Sequence, residues 1–145
     1  MGRFFYMDVN GFEMKEDLYY TKLHTWARIE DDVAVVGLDP IGIALAGKVS
    51  FVRVKKVGMM AEQEKPLGTM EAGKGVVKLP APVSGEIIEV NPILAGRELN
   101  SLNSDPYGEG WVVKVRMSNP DEVNNLLTGS EMLAWAEAEA AKVPQ

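Results

Sequence analysis

Few side chains in this chain are equipped for chemistry, and the best placed is a lysine. Gly68-Thr69-Met70-Glu71-Ala72 and Gly75-Val76-Val77-Lys78-Leu79 read as two short extended segments joined at Ala72-Gly73-Lys74-Gly75. Glycines on both sides of Lys74 permit positive φ on either side of it, the usual requirement of a compact hairpin tip. A lysine held there stands clear of the body with its amine open to another protein, which suits covalent attachment of a cofactor arm. The plainer reading is a solvated lysine on an ordinary hairpin, and an isolated Gly-Lys-Gly would support nothing more. Beyond the tip, Ala81-Pro82-Val83-Ser84-Gly85 turns the chain into a second apolar strand, Glu86 to Val90.

The remaining inventory excludes most other chemistry. There is no cysteine, so a disulfide scaffold, a cysteine nucleophile and thiolate metal sites are ruled out. The single histidine, His24, cannot build an all-histidine zinc site, and no Gly-x-Ser-x-Gly elbow accompanies it. His24 reads as a packing or hydrogen-bonding residue rather than a proton donor. The order Gly-x-x-x-x-Gly-Lys-Ser/Thr of a phosphate loop is absent. A net charge of −6 disfavours general nucleic-acid binding. No apolar run approaches the ~20 residues of a membrane span. Arg3-Phe4-Phe5-Tyr6-Met7-Asp8 is too short and too soon interrupted for a secretion signal, and a cytoplasmic location is expected. At 145 residues the chain fits one domain, and a chain of that size buries about 70% of its unfolded surface.

Stepping along the sequence gives the elements that must hold the lysine. Residues 1–17 read as an irregular leader with a turn at Asn10-Gly11. Leu18-Tyr19-Tyr20-Thr21 suits an edge strand. Thr25 to Glu30 and Val33 to Leu38 form a hairpin around Asp31-Asp32. Asp39-Pro40 predicts an N-cap and first-turn proline for a short helix that Gly47 ends. In Lys48 to Val57 the apolar parity changes between Val49 and Val52, which predicts a bulge near Phe51. Asn91-Pro92 opens a loop running through Asn100 to Gly110. Trp111 to Arg116 alternates as a half-buried strand. Asn119-Pro120-Asp121-Glu122 and Thr128-Gly129-Ser130-Glu131 predict two helix starts with side-chain caps. The second helix, about Ser130 to Lys142, carries Met132, Trp135, Ala136 and Ala140 on one face, with Glu137 and Glu139 on the solvated one. Trp26, Trp111 and Trp135 read as packing residues. Gly47–Gly58 faintly echoes Gly85–Val90, so two halves packing as an antiparallel sandwich are expected.

With these residues in view, the chain resembles glycine-cleavage H proteins. Tyr20-Thr21-Lys22, His24-Thr25-Trp26, Glu71-Ala72-Gly73-Lys74, Ala81-Pro82-Val83-Ser84-Gly85-Glu86 and Asn103-Ser104-Asp105-Pro106-Tyr107-Gly108-Glu109-Gly110-Trp111 carry the resemblance, in order, from about Leu18 to Leu133. It implies a mainly β barrel-sandwich hybrid of the lipoyl/biotinyl-like kind, with a short internal helix and C-terminal helices. Residues 18–128 would form the carrier domain, and 129–145 a helix and tail packed on or flanking it. It also implies a non-catalytic carrier whose lipoic acid is amide-linked to Lys74, with Lys78 the nearest rival. Glu71, Gly73 and Gly75 would supply the hairpin context read by a lipoate ligase or a lipoyl/octanoyl transferase.

The departures point to a subtype. Glu-Ser-Val-Lys-Ala of the family has become Glu71-Ala72-Gly73-Lys74-Gly75, and cations Lys48, Arg53, Lys55 and Lys56 occupy a segment that is acidic in typical members. Such lysines either guard a strand edge or form a docking patch that changes partners. These features are most similar to the lipoate-binding proteins of cytoplasmic sulfur oxidation, whose partner is a heterodisulfide-reductase-like complex. The alternative is the glycine cleavage carrier of an aminomethyl group, serving the P, T and L proteins. A biotinyl carrier or an unmodified interaction module stands behind both. Tethering by a lysine arm would turn successive encounters into a high local concentration at each partner's site.

Overall fold

The computed structural model describes residues 6–96 and 99–144. Residues 1–5 of the expected leader, which hold half of the segment weighed as a secretion signal, lie outside them. So do Arg97 and Glu98 of the loop before Asn100, and Gln145 of the tail. In order come β1 (Tyr6–Val9), β2 (Phe12–Lys15), β3 (Tyr19–Tyr20), β4 (Thr25–Glu30), β5 (Val33–Leu38), α1 (Pro40–Ala46), β6 (Val49–Val54) and β7 (Met60–Ala61). Then follow β8 (Pro66–Ala72), β9 (Gly75–Pro80), β10 (Gly85–Val90), α2 (Asn100–Ser104), β11 (Val113–Met117) and α3 (Gly129–Ala140).

Two sheets form the body. One is six-stranded in the order β3-β4-β5-β11-β10-β7, the other three-stranded in the order β6-β8-β9, and their named strands pair antiparallel. This is the mainly β barrel-sandwich hybrid expected. The register shift in β6 falls between Val49 and Phe51, where the change of parity predicted it.

The central strand β5 is buried on both faces past Val33, which is why its sequence is apolar throughout. Ala34, Val36 and Leu38 face the three-stranded sheet, joining Val52, Met70, Leu79, Ile87 and Val115 in the main core. Val35 points the other way into a second core with Tyr20, Trp26, Met14, Ile41 and Met132. A strand buried on two sides reads as a continuous apolar run rather than an alternating one.

The structure departs from the expectations in several places, each for a nonlocal reason. The supposed irregular leader is a hairpin from residue 6 onward: β1 pairs with β2 across Asn10-Gly11, with Asn10 at φ 51°. Val9 and Met14 drop into the second core, which supplies the burial that short strands need. The segment Pro120–Asn125 is a 3-10 helix, and Asn119 makes no side-chain cap. Glu122 instead accepts from the Ser84 amide at 2.7 Å and its hydroxyl at 2.8 Å. Thr128 likewise leaves its cap unmade and donates to Leu18 O at 3.4 Å. The expected loop after Asn91-Pro92 contains a 3-10 turn at Pro92–Ala95 and the short α2.

Trp26 is fully buried and donates to Leu38 O at 3.0 Å, while Trp111 and Trp135 are half-buried against the second core. In α3, Met132, Ala136 and Ala140 are buried as the spacing predicts. Because they complete the second core, Met132→Ala should lower the unfolding free energy by about 2–5 kcal/mol within one cooperative transition. Urea unfolding followed by fluorescence and far-UV circular dichroism measures this. An early, separate loss of helix signal would make α3 a detachable appendage.

Candidate functional site

The lysine hairpin is as compact as the sequence allows. Ala72 pairs with Gly75, leaving Gly73-Lys74 as the turn between β8 and β9. Lys74 is exposed, as are Glu71, Gly73 and Gly75. Lys78 lies three residues inside β9, opposite Thr69. The expectation of two positive-φ glycines is half corrected: Gly75 has φ +127°, whereas Gly73 does not take that conformation.

The tip is fastened from behind. The Lys74 amide donates to Ala46 O, the last carbonyl of α1, at 2.9 Å. An unpaired carbonyl at a helix C-terminus thereby gains a partner, and the root of the lysine gains a fixed position. Gly47, which ends α1 at φ +91°, makes this approach possible, since a Cβ there would sit 3.3 Å from both Cα and N of Gly73. On the other flank, Asn103 of α2 braces the β6 bulge, accepting from Val49 N at 3.1 Å and donating to Leu99 O at 3.0 Å.

Beside the lysine runs an open groove of about 430 Å3, walled by α1 (Leu45, Ala46), β8 and β9 (Met70, Val76, Val77, Leu79) and the loop bearing Leu23 and His24. Its ionisable lining groups are His24, Lys74 and Lys78. Leu23 and Val76 are exposed large apolar residues at this place.

His24 is the packing and hydrogen-bonding residue expected, with partners that lie far off in sequence. Its Nδ1 lies 3.0 Å from both oxygens of Asp39, the fully buried cap of α1, and its Nε2 lies 2.8 Å from Glu139 of α3. Asp39 Oδ1 also accepts from Gly42 N at 2.9 Å. Burial by itself would lower the His24 pKa, but the two carboxylates overcome it and hold the imidazole above its ordinary value. Burial works against the Glu139 carboxylate too, yet Lys142 and His24 hold it below the usual range. Glu139 is therefore not on a solvated face, as its helical position suggests; its side chain is 16% exposed and bound on both sides.

A second polar junction ties β2 to the body. The Tyr20 and Tyr107 hydroxyl oxygens lie 3.2 Å apart, with Lys15 O 2.9 Å from the first and Glu13 O 2.9 Å from the second, so their two protons are shared among three acceptor contacts. Burial pushes both phenols well above their usual pKa.

The four cations singled out in the sequence are not gathered at the lysine. Lys48 precedes β6 near the tip, Arg53 stands on its outer face with its guanidinium over Phe51, and Lys55 and Lys56 follow at the far end. At ~3.3 Å per residue this spreads them over as much as ~26 Å. Lys55 donates to Met60 O at 3.0 Å. Across the same outer face, β6, β8 and β9 place Phe51, Glu71 and Val76 in register.

Together the fold and the fastened, exposed lysine define a carrier-type barrel-sandwich domain. The sequence profile described as "Glycine cleavage H-protein" matches residues 18–139. A relative from Sulfurisphaera tokodaii, "Probable glycine cleavage system H protein 2", is 46% identical over 127 residues, covering 85% of each chain. The glycine cleavage system H protein of Rubrobacter xylanophilus is 42% identical, covering 88% of this chain and 98% of its own. A crystal structure of such a protein from Mycobacterium marinum superposes with a TM-score of 0.75 at 31% identity, covering 83% of this chain and 97% of that one. The chain belongs to the glycine cleavage H-protein family.

Two measurements probe this geometry. Gly75→Ala should cost about 1–2 kcal/mol through backbone strain alone, since its Cβ would meet open space. Gly73→Ala should stay within about 0.5 kcal/mol. The His24 bridge adds a pH dependence. Its folded pKa is raised, so its contribution is complete below the unfolded value of about 6.5 and lost as pH rises through the folded one. The stability gap between wild type and His24→Gln, about 1–3 kcal/mol, should thus be widest near pH 6 and narrow toward pH 9 in urea titrations.

Proposed function

We propose that the protein is a lipoyl carrier of the glycine cleavage H type, bearing its cofactor in amide linkage on Lys74 Nζ. One observation carries the reading: the family's motif order sets Lys74 on an exposed turn whose backbone is hydrogen-bonded to α1 while the side chain is left open. The residues present fit such an arm, because the neighbouring groove is apolar along most of its wall and long-chain alkyl groups favour such surfaces. When bound, the group supplies a cyclic disulfide that opens by thiol exchange or reductive transfer and closes again on oxidation.

The chain's own residues position rather than react. Ala46 O holds the root of Lys74, and the two glycines keep side chains away from its approach. Glu71, exposed three residues earlier between Phe51 and Val76, offers a lipoate ligase or lipoyl/octanoyl transferase a carboxylate to recognise. The carrier itself catalyses nothing, and a cytoplasmic location belongs to the same reading.

For partners, the P, T and L proteins of glycine cleavage now lead, because each relative reported above bears that system's name. This reverses the preference drawn from the sequence. The sulfur-oxidising, heterodisulfide-reductase-like complex remains a second reading on one observation: in a chain of net charge −6, Lys48, Arg53, Lys55 and Lys56 follow a single edge strand. An acidic partner would be steered along that line, with association weakening as salt shortens the screening length.

Intact mass on protein from a lipoylating host tests the attachment. Wild type should gain one lipoyl group, Lys74→Arg none, with thermal stability nearly unchanged; an adduct at Lys78 or on Lys74→Arg would overturn the site. Lys55→Glu/Lys56→Glu decides between partner sets. Arm reduction by glycine cleavage enzymes should be unaffected by the double reversal. Poor reduction by those enzymes, joined to a charge-sensitive reduction by the sulfur-oxidising complex, would establish the second reading.

A further inference from the structure

The bridge around His24 has no part in attaching an arm, yet it stands one helix away from the lysine. α1 has seven residues, far fewer than the ~12–15 an isolated helix needs, so its ends must be held by other elements. At its N-terminus Asp39 caps Gly42 N and is gripped by His24 Nδ1. His24 Nε2 reaches Glu139 across 115 positions of sequence, and its ring lies 4.8 Å from Trp135 of the same helix. At its C-terminus α1 gives Ala46 O to the Lys74 amide. The contacts run without a break from α3 through His24 and α1 to the lysine tip.

We infer that the Glu139–His24–Asp39 bridge makes the C-terminal helix part of the apparatus that presents Lys74, with His24 as its positioning residue. The inference rests on Lys74 being the arm-bearing residue. His24 sits at a backbone φ of 75°, uncommon for a residue with a side chain, and so is itself held by its surroundings. The groups facing it are Asp39 from the α1 cap, Glu139 backed by Lys142 from α3, and Lys74 and Lys78 across the groove. One cationic ring between two carboxylates is a strong, direction-specific tie. Losing it frees the α1 cap first and the tip second, while β4, β5 and β11 keep their own ladders.

Amide hydrogen exchange on the full chain reads this directly. In His24→Gln, the Lys74 and Gly47 amides should exchange about tenfold faster, whereas Val36 and Val115 amides in the sheet stay protected. Glu139→Gln, which keeps side-chain length and removes only the charge, should give a smaller change in the same amides. Wild type, corrected for intrinsic base catalysis, should show the same local loosening as pH rises through the His24 pKa. His24→Gln should show none, and Glu139→Gln, which keeps the His24–Asp39 pair, a weaker one. With a lipoylating enzyme, KM for the His24→Gln acceptor should rise several-fold at unchanged kcat. Unchanged Lys74 protection, or protection lost equally in the sheet, would overturn the inference. Exchange needs no attached group, so a failure of Lys74 to be modified would appear in the mass measurement alone.

Discussion

One hydrogen bond couples the tip of the lysine hairpin to the helix beside it: the Lys74 amide to Ala46 O. A two-residue turn projecting from a sheet is ordinarily the least restrained part of a hairpin, because nothing beyond its own ladder holds it. Here the end of a short helix is brought against it, with Gly47 and Gly73 nearly touching to allow the approach. The side chain stays exposed while its backbone origin is defined. A carrier needs that combination, since reach comes from a flexible arm and accuracy from a fixed root.

The rest of the architecture serves to place that helix. The β4–β5 hairpin ends at Leu38, and Asp39 begins α1 at once, so the six-stranded sheet sets where the helix starts. Trp26 locks this corner by donating to Leu38 O from the second core. The segment Asn103 to Trp111 ties down the other flank. Asn103 braces β6, Asn91 donates to Glu109 O and Trp111 O, and Tyr107 joins Tyr20 and β2. What reads in the sequence as a family motif is physically a set of cross-links among elements that share no ladder.

Charge is arranged differently from chemistry. The acidic balance of the chain is spread over its surface, while the groove beside Lys74 is lined by apolar side chains and His24, Lys74 and Lys78. The cations of β6 run along a strand edge instead of clustering at the tip, consistent with protection of an otherwise pairable edge as well as with docking. A charge pattern that looks like a patch in one dimension becomes a line when a strand extends it.

Local features of this protein were legible in its sequence because short-range forces determine them. The turn at Asp31-Asp32, the Asp39-Pro40 helix start, the bulge near Phe51 and the lysine turn depend on capping, proline geometry, parity and glycine, all within a few residues. The fold class and the family followed from motif order. Tertiary structure decided the partners of polar groups that were candidates for local caps. Glu122 and Thr128 look like helix-start residues yet spend their hydrogen bonds on Ser84 and Leu18, and Glu139 looks solvated yet meets His24. Each of those bonds spans tens of residues, because once strands order themselves by burial, a buried donor or acceptor must be satisfied by whatever the sheets bring beside it.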